Sequence, residues 1–348
     1  MRGPARLIAA ALVVATAGAC GGTHAGDARS TGTVARAVPA AQVRAASPTL
    51  AVGASAWVSV SVARLWQSPK APWTVDRPAL TAPVHFRAWL RAMTLSQRRD
   101  LDLRSDTEAL LGDRVVVVRL RTHWAEVVVP SQPSQKDSRG YPGWVPRRQL
   151  TAIAPRSSTQ VATVVARTAW LRTDDSTAAH TIKISFGSNL PVVGQVPGYV
   201  RVSTPKGVVR RIKATALSVH AKGSAPIALS RSSLVSTAKK FLGVHYLWGG
   251  LSGFGLDCSG LTWLDFRAHG VRIPRDALPQ SQHGTAVSSR LPGDLLFYAN
   301  DGRVHHVTMD IGGGQIIQAP HTGAVVRIDD FSEQPLRSEY AGARRYLG

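Results

Sequence analysis

The chain has 348 residues, a hydrophobic content of 44% and a formal net charge of +21 at pH 7, with arginine outnumbering lysine. That length and apolar content suit two or three domains with cores of their own and exclude a largely disordered chain. The charge draws such a protein toward polyanions, but the arginines are scattered and no helix-turn-helix, zinc-ligand or RNP-like pattern accompanies them. Nucleic acid is therefore not an expected partner, whereas anionic cell-wall polymers or a membrane surface are.

Arg2 and Arg6 precede an apolar run, Leu7 to Val14, and then small residues up to Ala17-Gly18-Ala19-Cys20. Residues 1–20 read as a lipoprotein-type signal peptide in which Cys20 becomes the lipidated first residue. Ala17 is a weaker choice than leucine at its position, which leaves plain cleavage and secretion as the alternative. The mature protein is expected outside the cytoplasm, lipid-anchored to the membrane. Residues 21–50, rich in Ala, Gly, Ser, Thr and Arg without aromatics, read as a flexible linker.

Residues 51 to about 222 carry a repeat. Val62-Ala63-Arg64 recurs as Val165-Ala166-Arg167, each shortly before a tryptophan, Trp66 and Trp170. Leu111 to Val115 answers Phe186 to Leu190, and Trp124 to Pro130 answers Tyr199 to Pro205, at one shared offset. Each unit has short runs of alternating valines broken by Gly, Pro and Asp, the pattern of small antiparallel barrels. The first unit (51–152) adds a helical insertion at about 72–104, with Phe86, Trp89, Leu90 and Met93 at helical spacing; the second spans 158–222. The pattern resembles paired bacterial SH3-like domains, most specifically in Gly140-Tyr141-Pro142-Gly143-Trp144-Val145-Pro146. Trp66, Trp124, Trp144 and Trp170 are expected in the barrel cores.

The last segment, 226–348, changes character. Ser232 or Ser233 is a candidate cap for a helix with Leu234, Val235, Ala238, Phe241 and Leu242 on its apolar face, ending at Gly243. Tyr246-Leu247-Trp248-Gly249-Gly250 leads to Asp257, from which a second helix runs to Ala268. Four strand-like runs follow, Gly293–Ala299, His306–Ile311, Gln315–Ala319 and Gly323–Ile328, joined by short turns as an antiparallel meander. Helices followed by strands indicate an α+β domain.

With Cys20 spent at the export signal, Cys258 is the one thiol expected to remain free, since the chain has 2 cysteines. Asp257 is a good N-cap, which puts Cys258 in the first helical turn, where unpaired N–H groups favour a thiolate. A thiol nucleophile needs a proton shuttle. In the strand beginning near His306, Val307, Met309 and Ile311 take one face, so His306 points to the other and His305 shares parity with the core. Gln318, on the next strand, falls within a residue or two of the position opposite His306. Its carbonyl is placed to accept the second imidazole N–H. The predicted catalytic set is Cys258 as nucleophile, His306 as base then acid, and Gln318 as orienting group. No metal or other cofactor is expected, because a single cysteine without acidic ligands nearby does not make a zinc site. His245, His269 and His283 read as surface or cleft-edge residues.

Asp257-Cys258-Ser259-Gly260-Leu261, Tyr246 to Gly250, Pro292-Gly293-Asp294-Leu295-Leu296-Phe297, and His306-Val307 with Gln318 together resemble the NlpC/P60 family of cysteine peptidases. The resemblance implies a papain-like α+β catalytic domain preceded by two small all-β SH3-like barrels. It also implies hydrolysis of peptidoglycan stem peptides or released muropeptides. Two upstream barrels are similar to those of γ-D-glutamyl-L-diamino acid endopeptidases of the dipeptidyl-peptidase VI type, which favour a free N-terminal L-Ala. By that resemblance Asp257 and Ser259 contact the substrate's amino end, Tyr246 lines the cleft and Tyr141 contributes from the first barrel. Arg275-Asp276-Ala277 departs from the pattern at its third position, often serine. Gln318 stands where many relatives have histidine, and Asp310 replaces a more usual aromatic.

Overall fold

Valine-rich alternating stretches pair into two seven-stranded antiparallel sheets of the same topology. In the first, the spatial order is Ser105–Leu110, Val62–Trp66, Tyr141–Pro146, Trp124–Val129, Arg114–Leu120, Ser55–Val58 and Leu150–Thr151. In the second it is His180–Ser185, Thr168–Arg172, Val209–Lys213, Tyr199–Ser203, Asn189–Val196, Gln160–Val164 and Leu217–Ala221. The computed structural model describes residues 48–333 and 336–347; Cys20, the leader and nearly all of the linker lie outside them. From residue 47 onward the chain forms one compact unit.

The cross-strand register corrects one part of the repeat. Trp66 faces Trp144, and the equivalent pair in the second barrel is Arg172 with Arg211. Trp66 therefore corresponds to Arg172, and the two Val-Ala-Arg tripeptides match in letters only. Trp170 is not a core residue: it is 37% exposed, stacked on the His180 ring.

Both barrels seal the core of the last domain. The insertion folds into short helices, including Phe86–Ala92 and Leu95–Arg99. It buries Phe86, Trp89 and Met93 in the same apolar cluster as Phe241, Leu247 and Leu264. Phe86 packs on Phe254 with ring centroids 5.4 Å apart, and Phe186 of the second barrel meets Phe241 edge-on at 5.2 Å. Gly253 lies against the backbone of the second barrel. A Cβ there would lie 1.9 Å from the Arg167 carbonyl oxygen, so only glycine lets the two backbones touch.

In the last domain the first helix, Arg231–Lys239, is capped by Ser230 rather than by Ser232 or Ser233. Ser233 sits at the third helical position and closes a capping box back to Ser230. The second helix is Cys258–Ala268, a short third one is Ala277–Gln282, and the helix of Cys258 packs against the strand Arg303–Gly312. The sheet has six strands in the order Thr285–Val287, Tyr340–Arg345, Leu295–Asn300, Arg303–Gly312, Gln315–Gln318 and Arg327–Asp330. The expected meander forms the last four of these strands, its fourth shifted from Gly323–Ile328 to Arg327–Asp330. Tyr340–Arg345 adds to the other side of Leu295–Asn300, and its sequence, Tyr-Ala-Gly-Ala-Arg-Arg, has no alternation to announce a strand. Among the described residues no helix is long and apolar enough to cross a membrane.

Candidate active site

Asp257 has extended backbone dihedrals and its carboxylate accepts from the Gly260 N–H at 2.6 Å, which starts the helix at Cys258. Gly260 is required by packing. A Cβ there would sit 2.0 Å from the Gly250 carbonyl, so the glycines of the two motifs let the helix start rest on the Tyr246–Gly250 loop. Arg275 holds Asp257 from below: its guanidinium reaches the two carboxylate oxygens at 3.1 and 2.8 Å and the Ser259 hydroxyl at 2.9 Å. Its Nε donates to Thr107 Oγ1 of the first barrel at 2.9 Å, and its backbone N–H donates to the Pro133 carbonyl. Nearby, Glu108 pairs with Arg64 at 3.0 Å and accepts from the Leu251 N–H at 3.1 Å. These buried polar contacts fix the first barrel against the loop and helix that carry the cysteine.

Cys258 is 8% exposed at the wall of a cleft of about 560 Å³. His306 is buried on the neighbouring strand, and its Nε2 lies 2.7 Å from Gln318 Oε1. Gln318 is opposite Thr308, two residues along from His306. Its amide orientation is set from behind, since Nε2 donates to the Asp329 carboxylate, itself paired with Arg327 at 2.8 Å. With NH₂ committed to Asp329, the amide presents its carbonyl to His306, which puts the ring hydrogen on Nε2 and leaves Nδ1 as the basic atom. Asp329 was missed in the sequence because nothing in Arg327-Ile328-Asp329-Asp330 distinguishes it from a solvated turn.

The expectation of a resting thiolate is corrected. Backbone N–H groups of Val307 and Ser259 do favour the charged sulfur, but burial and then the Asp257 charge outweigh them and push the Cys258 thiol up to about 12. Burial likewise pushes His306 down to about 4, against the raising effect of Gln318. Burial thus favours the neutral thiol and the neutral imidazole over the ion pair at rest. The Tyr246 hydroxyl, driven well above its ordinary range by burial and by Cys258, stays protonated as a donor at the same cleft.

His305 is displaced from its expected place. Tyr298 pairs with His306 and Ala299 with Val304, so His305 is the extra residue of a β-bulge. The bulge breaks the alternation: His305 faces the cleft with its ring stacked 6.5 Å from that of His306, and pairs with Glu339 at 3.2 Å. His269, expected at the surface, is 2% exposed.

The rest of the cleft brings the predicted binding residues together. Asp257, Ser259, Tyr246 and Tyr141 all line it, with Ala277, Trp248, Asp106 and Asp276. Tyr141 O–H donates to Asp276 at 3.4 Å, and burial raises the Asp276 carboxyl. Asp106 pairs with Lys136 at 2.8 Å. Three carboxylates, those of Asp106, Asp257 and Asp276, thus line one cleft of a strongly basic chain. No three His, Cys, Asp or Glu side chains converge as a metal site among the described residues.

A helix-borne thiol against a strand-borne histidine and its polar partner, on an α+β scaffold, is the arrangement of a papain-like cysteine peptidase. Residues 243–345 match the model of the NlpC/P60 family, and residues 164–220 match that of the YKFC SH3b2 domain. The chain is 36% identical over 302 residues to a gamma-D-glutamyl-L-lysine dipeptidyl-peptidase of Bacillus cereus, covering 84% of this chain and 91% of that protein. It is 37% identical over 294 residues to the protein of that name from Bacillus subtilis, covering 82% and 96%. A crystal structure of an NlpC/P60 family protein from Bacillus cereus superposes with a TM-score of 0.81 at 35% identity, covering 85% of this chain and 100% of that one. The chain belongs to the NlpC/P60 family and is a cysteine peptidase with two SH3-like barrels ahead of its catalytic domain.

Proposed function

We propose that this peptidase hydrolyses the bond between γ-D-glutamate and the diamino acid of peptidoglycan stem peptides and favours substrates with a free N-terminal L-Ala. One observation carries the reading: Cys258, whose helix packs on the strand of the Gln318-bonded His306, lines a cleft with Asp106, Asp257, Asp276 and Tyr141, which suit an ammonium group. The names and coverage of the two Bacillus relatives support it.

The neutral resting pair sets the order of events. As Cys258 Sγ attacks the γ-carbonyl carbon, its proton passes to His306 Nδ1, so thiolate character develops only with the S–C bond. Gln318 holds the imidazolium by its Nε2–H. The Cys258 N–H and the Tyr246 hydroxyl are the donors nearest the developing oxyanion. The C–N bond then breaks, and the imidazolium proton goes to the departing amine. Water adds to the thioester with His306 as base, and the carboxylate product leaves as the thiol regains its proton.

Outside the cell, anchored through Cys20 or secreted if Cys20 carries no lipid, the enzyme acts on stem peptides or released muropeptides. Mass spectrometry of L-Ala-γ-D-Glu-diamino acid peptides is the test. Cleavage is expected with a free L-Ala amine, loss of cleavage with an acetylated one, and none by Cys258→Ala. Undiminished cleavage by Cys258→Ala removes the reading; indifference to acetylation removes the amine preference.

A further inference from the structure

A second concave site lies on the far side of Tyr246 from the catalytic cleft. It has a volume of about 370 Å³ and takes residues from all three domains: Arg87, Arg91 and Arg98 from the insertion, Arg167 from the second barrel, and His245 from the catalytic domain. No aspartate or glutamate lines it. Arg87 and Arg91 stand one turn apart on the helix Phe86–Ala92, an arrangement of like charges that destabilises a helix. None of Arg87, Arg91 and Arg167 has an ion-pair partner among the described residues, whereas Arg64, Arg201, Arg267, Arg275 and Arg345 each pair with a carboxylate. Arg98 donates to the Leu90 carbonyl, but its Nε is buried without a partner. Lys183 adds to the same field: Arg87 and Arg167 pull it down after burial does.

We infer that this pocket binds phosphate groups of a linear soluble polyanion. Guanidinium groups from the first barrel's insertion and from the second barrel offer forked N–H donors that match tetrahedral phosphate. Their number exceeds what a single carboxylate neutralises, and an anion seated among them would offset their mutual repulsion. Tyr246 lines both this pocket and the catalytic cleft. A chain of phosphate groups seated here would hold the enzyme with its cleft a single side chain away. The inference does not depend on which peptide the cleft accepts.

Short linear polyphosphate of about ten units is a usable probe, titrated into the full-length protein by calorimetry at about 0.15 M salt, near physiological ionic strength. Arg87→Gln with Arg91→Gln is expected to weaken binding at least about tenfold. Arg114→Gln with Arg148→Gln removes the same charge elsewhere on the exposed surface and is expected to change it less than about threefold. Peptide cleavage by both double variants should stay at the wild-type rate, which also reports that they fold. Equal weakening by the two pairs would leave only diffuse charge and overturn the site. So would absence of polyphosphate binding, or binding confined to anionic phospholipid vesicles.

Discussion

Replacing Asp265 by asparagine tests whether the interior beneath the catalytic helix is as dry as its geometry indicates. Asp265 lies on the helix that begins at Cys258 and is 0% exposed. His269 Nδ1 approaches the Asp265 backbone carbonyl at 2.9 Å and one carboxylate oxygen at 3.3 Å, and both carboxylate oxygens lack a hydrogen bond. Burial raises the Asp265 carboxyl from 3.8 to about 7, against the smaller lowering by His269. In the unfolded chain the proton leaves near 3.8, and in the folded chain only near 7. Between those values the folded state binds the extra proton, so stability falls as pH rises through the window. A carboxyl raised that far amounts to about 4 kcal/mol at pH 8 and almost nothing at pH 4. Asp265→Asn, which cannot ionise, should therefore be about 4 kcal/mol more stable than wild type at pH 8 and near parity at pH 4, in urea melts at both pH values. A gain that is the same at the two pH values, or a loss at pH 8, would refute the reasoning.

Three further outcomes follow from the site. Asp329→Ala frees the Gln318 amide to turn its NH₂ toward His306; kcat should fall about tenfold with KM little changed, a fraction of what general-base catalysis contributes. An unchanged kcat would mean that Asp329 does not hold the amide. Arg275→Met leaves Asp257 buried without its counter-charge and should cost about 3–5 kcal/mol in a urea melt. Arg275→Lys should recover little, because the native group binds two carboxylate oxygens and Thr107 together. Alkylation of Cys258 by iodoacetamide in the free enzyme should be slower at pH 7 than that of free cysteine and should still be rising above pH 9, as a thiol near 12 requires. A plateau below pH 8 would contradict the neutral pair.

The site was legible where one residue does its work locally. An N-cap before a cysteine can be read in five letters, and a histidine and a glutamine on adjacent strands betray themselves by parity. Parity failed at His305 because a bulge inserts a residue without altering the letters around it. The thiolate expectation failed for a different reason. The helix end is visible in sequence, but burial depends on the first barrel, the Tyr246 loop and the strand of His306 closing around Cys258. The Arg275 network was out of reach for the same cause: its partners, at 107, 133, 257 and 259, are adjacent only after folding. The barrels were recognised from their shared valine pattern, although the Trp66–Trp170 match was coincidence and the true correspondence ran to an arginine.

The continuous apolar cluster that joins Trp66, Phe186 and Leu264 has a consequence for how far the domains can be treated as separate parts. Three modules can be counted in the chain, yet the interior of the catalytic domain is completed by side chains of both barrels. Exchanging a barrel for that of a relative would exchange part of the catalytic domain's own packing, along with the Thr107 and Glu108 contacts beneath the nucleophile. A barrel exchange would thus disturb the fold of the catalytic domain together with the wall of its cleft.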